Sequence, residues 1–144
     1  MVGVVLAAHG PLPKALLESV GMIMGDLPQV TSVSLMPGDS LEGLVERLQS
    51  AVNEVNTDQG VLILLDLFGG TPANAAALLS QQMSGVQAVS GVNLPMLLET
   101  LLARMGTETI SVEALAQTAS AAGRDGVVNI VAAFQQFRQG EITQ

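Results

Sequence analysis

The chain has no cysteine, no tryptophan, no tyrosine and only one histidine among its 144 residues. Without cysteine there are no disulfides, no thiol nucleophile and no thiolate metal site. Three phenylalanines are the only aromatics, so the core must be built from Leu, Val, Ile, Ala and Met. Cations are scarce too. Five Lys and Arg face 13 Asp and Glu, for a net charge of −8. Binding to nucleic acid or to an anionic membrane surface needs clustered basic residues, so both are excluded. The opening "MVGVVLAAHG" has no basic stretch ahead of its apolar run, and that run is far too short to span a bilayer. The expectation is a cytoplasmic protein with no direct membrane insertion.

What the chain does have is apolar bulk. Apolar residues make up 49% and charged residues only 12%, which suits a globular chain and not a disordered one. So little charge on so much apolar surface points to cover by a partner or a second copy. The length fits one domain spanning residues 1–144.

Short β-branched runs alternate with helical stretches. Val2–Ala8 reads as a buried strand. Pro13–Gly25 reads as a helix, "QVTSVSL" as a second strand, and Ser40 as the N-cap of a helix with Leu41, Leu44, Val45, Leu48, Val52 and Val55 on one face. "GVLILLDLF" is the most apolar strand, expected at the centre of the sheet. After "GGTP", with Thr71 as N-cap and Pro72 at the first helical position, a helix is expected to about Met83. "VQAVSG" is a fourth strand, and helices follow over "NLPMLLETLLARM" and Val112–Ala122. "GVVNIV" reads as a short fifth strand before a helical tail from about residue 131 to Arg138, with "GEITQ" frayed. Such alternation predicts an α/β doubly wound fold: a mostly parallel four-stranded sheet with helices on both faces, plus the short C-terminal strand.

In open α/β sheets ligands bind at the carboxyl ends of the strands. Three connections leave those ends: Ala8-His9-Gly10, Asp66 through Gly69, Gly70, Thr71 and Pro72, and Gly91-Val92-Asn93. Each has an ordinary explanation as a loop, cap or turn. Their convergence on one sheet edge is what points to a site. A neutral imidazole is a good nucleophile toward phosphorus. Asp66 would fix its tautomer and support the ring when it turns cationic. Backbone N–H groups near Gly70 and Thr71, at a helix N-terminus, would receive phosphoryl oxygens, joined by the Thr71 hydroxyl. A P-loop is absent. Metal chemistry is disfavoured, because such sites usually want more than one His and one Asp. No cofactor is implied. Histidine phosphatases need an Arg before the His and a second His, and here Ala8 precedes the only one. A small metal chelatase remains a weaker reading, tested by metal binding lost on His9→Ala.

"VVLAAHG", "LLDLFGGTPANAA" and "GVNLPMLLE", in this order and spacing, resemble the enzyme IIA component of the mannose family of the bacterial sugar phosphotransferase system. The resemblance covers roughly residues 2–130. It implies a phosphotransferase in which His9 takes a phosphoryl group from phospho-HPr and passes it to a separate IIB component, with Asp66 holding the imidazole and Thr71 and Gly70 beside the phosphoryl group. Gly10, Gly69 and Asn93 then line the groove. It also implies a homodimer exchanging a C-terminal strand, here "GVVNI", and membrane IIC and IID components reached only indirectly. Ala8 and Ala73 depart from the pattern: a hydroxyl residue often precedes the histidine, and a Phe commonly follows "GGTP". The resemblance does not extend to the tail after Ile130. A regulatory module, in which His9 phosphorylation controls a bound protein, is the alternative; adjacent IIB, IIC and IID genes would favour transport.

Overall fold

β1 (Gly3–His9) is buried along its whole length until His9. Its side chains alternate between two cores. Val5 and Ala7 face one, Val4 and Leu6 the other. β3 (Val61–Leu65) does the same, with Ile63 on the first side and Leu62 and Leu64 on the second. Strands covered on both faces need continuous apolar sequence, which is why residues 3–8 and 61–65 carry no polar residue. β2 (Val30–Leu35) and β4 (Val86–Val89) complete a four-stranded, all-parallel sheet in the order β2-β1-β3-β4. The computed structural model describes residues 1–106 and 108–143.

The helices sort by the core they bury. α2 (Leu41–Val55) and α3 (Gly70–Gln82) cover the first face, with Leu44, Leu48, Val52, Ala75, Ala76 and Leu79 seated on the sheet. α1 (Leu12–Met24), α4 (Leu94–Arg104) and α5 (Val112–Asp125) cover the second, through Val20, Leu97, Leu101 and Leu115. Ser40 caps α2 as expected, its side chain accepting from the Gly43 N–H at 3.0 Å. The chain is thus α/β and doubly wound. Its direction of winding reverses between β1 and β3, and His9 and Leu65 end these two strands at that reversal.

Three expectations are corrected. "GVVNIV" forms no strand: Gly126 caps α5, Val127–Asn129 are irregular, and a further helix, α6, spans Ile130–Thr143. A strand needs an edge to pair with. Here Asn129 instead accepts from the Ala132 N–H at 3.0 Å and starts a helix. α6 runs to Thr143, so most of "GEITQ" is helical rather than frayed, and Gln144 lies outside the described residues. α3 begins at Gly70 with Gly69 as its N-cap, so Thr71 is not the cap and Pro72 is the third helical residue. Among the described residues, no helix is long and apolar enough to cross a membrane.

Candidate functional site

His9 ends β1 and Asp66 follows β3, so two adjacent parallel strands deliver them side by side. One Asp66 oxygen, Oδ2, lies 2.9 Å from His9 Nδ1 and accepts the His9 backbone N–H at 3.0 Å. The other, Oδ1, accepts the Leu67 N–H at 2.9 Å. Burial alone would raise the Asp66 carboxyl. The backbone N–H of His9, its imidazole and the Leu67 N–H outweigh that and hold the group below its ordinary value of 3.8. An ionised carboxylate can only accept, so Nδ1 carries the ring proton and donates it to Asp66. Nε2 is then left with a free lone pair.

Exposure divides the pair by role. The His9 side chain is 55% exposed and that of Asp66 only 12%. The imidazole meets solvent while the carboxylate sits beneath it. The Gly10 N–H donates to the Leu35 carbonyl at 3.0 Å and ties the residue after His9 to the neighbouring strand.

The connection from Asp66 runs through Gly69 and Gly70, at φ 116° and 70°. Side chains with a Cβ avoid such angles, and the pair turns the backbone straight from strand into helix. The first peptide N–H groups of α3, around Gly70 and Thr71, therefore emerge from the connection that carries Asp66. No side chain caps them, which leaves donors for an anion at the positive end of the helix.

Asn93 stands on the third connection, and its amide is spent elsewhere. Its Oδ1 accepts the Met96 N–H at 2.9 Å, capping α4, and its Nδ2 donates to the Gly123 carbonyl at 3.0 Å. It braces α4 against α5 and makes no hydrogen bond to His9 or Asp66. The neighbouring Val92 N–H donates to the Leu65 carbonyl at 2.9 Å, which holds this connection against the end of β3. Sequence reading also missed the backbone N–H groups of His9 and Leu67, which have no side-chain signature. A cue for the apolar rim was present: "LF" after Asp66 places Leu67 and Phe68 where they are exposed, with Met36 and Leu12 exposed after β2 and β1. Among the described residues no three His, Cys, Asp or Glu side chains gather as a metal site would require.

Residues 3–120 match the family described as the PTS system fructose IIA component. Among curated proteins, the fructose-specific EIIA component of Bacillus subtilis is 39% identical over 104 residues, covering 72% of this chain and 71% of its own. The mannose-specific EIIAB component of Escherichia coli K12 is 34% identical over 126 residues, or 88% of this chain. The match covers only 38% of that relative's length. Among solved structures, an EIIA component from Streptococcus agalactiae superposes with a TM-score of 0.79 at 29% identity, covering 92% of this chain and 99% of its own. The mannose/sorbose-specific IIA subunit from Enterococcus faecalis gives 0.77 at 29% identity, covering 89% and 93%. With the matched span running from β1 through most of α5, the chain belongs to the mannose/fructose/sorbose EIIA family of the sugar phosphotransferase system.

Proposed function

We propose that this protein is a phosphohistidine relay that accepts a phosphoryl group from phospho-HPr on His9 and passes it to a IIB component. The observation that carries the reading is the 2.9 Å contact between Nδ1 and Asp66, which leaves Nε2 as the nucleophile. Nε2 attacks phosphorus in line. A bond forms from Nε2 to phosphorus as the donor's P–N bond breaks, and the donor imidazole leaves with that electron pair. The His9 ring becomes cationic, and Asp66 stabilises it through Nδ1–H. The N–H groups around Gly70 and the Thr71 hydroxyl receive the phosphoryl oxygens. Transfer to IIB runs the same step with IIB as nucleophile.

Donor and acceptor both have to reach His9. The exposed Leu12, Met36, Leu67 and Phe68 give them an apolar rim to dock on, so the two compete for one face. A homodimer in which the C-terminal segment "GVVNI" is exchanged between subunits belongs to the same reading, and exposed Val127 and Val128 support it. Intact mass after incubation with phosphoenolpyruvate, enzyme I and HPr tests the relay. One added phosphoryl group is expected, labile in acid, stable in base and absent in His9→Ala. A folded protein that gains no mass beside active HPr would refute it.

A further inference from the structure

The connection after β2 stands next to His9. Leu35, the last residue of β2, is paired with His9 in the register of the sheet, and its carbonyl accepts the Gly10 N–H at 3.0 Å. Met36 follows directly. His9 has the strand parity of Val5 and Ala7, so its side chain leaves the sheet on the face that α2 and α3 cover. Residues 36–40 lead from β2 into α2 and so cross onto that face.

Met36-Pro37-Gly38-Asp39 has the residues of a type II turn. Proline takes the second position, and Gly38 the third at φ 84°, an angle that favours glycine. The Asp39 N–H closes the turn on the Met36 carbonyl at 3.2 Å. The Asp39 carboxylate returns to the same residue, its Oδ2 accepting the Met36 N–H at 2.8 Å. One residue thus holds both backbone groups of Met36. Arg47, from the second turn of α2, steadies that carboxylate. Its guanidinium donates to Asp39 Oδ2 at 3.0 Å and, through the other terminal nitrogen, to the Ser34 carbonyl. The planar fork therefore ties the end of β2 to the turn that follows it.

Stability alone does not account for this brace. The Met36 side chain stays 53% exposed. The Arg47 and Asp39 side chains are 42% and 24% exposed, and an ion pair so open to water contributes little. A fixed backbone beneath a free thioether does serve contact with a second protein. Methionine adapts to an irregular apolar surface, and a turn ordered in advance spares binding the entropy of ordering it.

We propose that Asp39, steered by Arg47, is a positioning residue for phosphoryl transfer: it sets Met36 as a preordered contact for the protein whose phosphohistidine approaches His9. This rests on the relay reading and deepens it. Neither Asp39 nor Arg47 touches the phosphoryl group, so both act on the encounter and not on the chemical step. Initial rates of His9 phosphorylation against phospho-HPr concentration read the difference. Asp39→Ala should raise KM about three- to tenfold and leave kcat within about twofold. Asp39→Asn keeps an acceptor for the Met36 N–H and should recover most of that loss. Met36→Ser should raise KM to a similar extent. The double variant Asp39→Ala/Met36→Ser should be no worse than Met36→Ser alone, because both changes remove one contact. Additive losses in the double variant, a fall in kcat at unchanged KM, or no recovery in Asp39→Asn each overturn the proposal. Amide exchange at Met36 reads the brace with no phosphate present. It should quicken severalfold in Asp39→Ala and in Arg47→Met while residues 61–65 keep the protection of the parent; unchanged exchange overturns the proposal too. A parent protein that takes no phosphate sinks the relay reading and this proposal with it, whereas quickened exchange with an unchanged KM sinks this proposal alone.

Discussion

At the residue scale, a single carboxylate does three jobs. Asp66 accepts from the His9 ring, the His9 backbone and the Leu67 backbone. Asp66→Asn keeps the size but offers one acceptor and one NH₂ group, so at least one of these N–H groups meets another donor. Phosphorylation of His9 should slow on the order of 10²-fold, because the amide neither fixes the Nδ1–H tautomer nor stabilises the cationic ring. Quenched-flow measurement of the phosphorylated mass reads this directly. Stability should follow pH in a defined direction. The folded carboxyl titrates below its ordinary 3.8, so the unfolded chain binds the proton more readily. The stabilisation is full above that ordinary value and fades as pH falls through the folded one. Urea midpoints for the parent and Asp66→Asn, compared from about pH 6 to about pH 2, should converge at the acid end. A constant gap across that range would show that Asp66 contributes by packing and not by charge.

At the element scale, the connections matter more than the helices and strands they join. Asn93 illustrates this, because one amide caps α4 and ties it to α5. Asn93→Ala should cost about 2 kcal/mol in urea unfolding, from a lost cap and an unpaired Gly123 carbonyl. Asn93→Asp keeps the acceptor for the Met96 N–H and should cost measurably less. Sequence showed Asn93 on the right connection but not the two bonds that occupy its amide. An amide before Leu-Pro is equally a cap or a ligand group, and its second partner lies 30 residues on. β1, β3 and α2 were legible because burial on two faces, or on one helical stripe, leaves a pattern no other element shares. His9 and Asp66 were legible for a related reason: a polar residue ending an apolar strand must emerge at the carboxyl edge. "GVVNIV" forms no strand within its own chain, because β-branched composition does not make a strand without a partner, and Asn129 starts α6 instead. The start of α3 misled because Thr-Pro resembles a cap, while two left-handed glycines begin the helix sooner.

At the scale of the whole molecule, the candidate site and a buried structural anchor occupy opposite ends of one sheet. The carboxyl ends carry His9 and Asp66. The amino ends are gathered by Arg104, from the last turn of α4, which is 5% exposed. Its guanidinium donates to the carbonyls of Val2 at 2.9 Å and Gln29 at 3.1 Å, and to that of Pro28. These residues lead into β1 and β2, so one side chain fixes the alignment of two adjacent strands. No carboxylate pairs with it among the described residues, and burial pushes it down to about 10, still charged at neutral pH. Backbone dipoles and the carboxyl end of α4 take the place of a counter-ion. Arg104→Met retains much of the buried stem but orphans the carbonyls. Unfolding free energy should fall by about 2–4 kcal/mol, since each lost partner leaves a desolvated acceptor. The folded fraction should still gain one phosphoryl group on His9, because the site is assembled at the far end of the strands. Urea titration read beside intact mass separates the two effects. A variant that remains folded yet cannot be phosphorylated would mean that strand alignment at the amino ends is transmitted along β1 to His9.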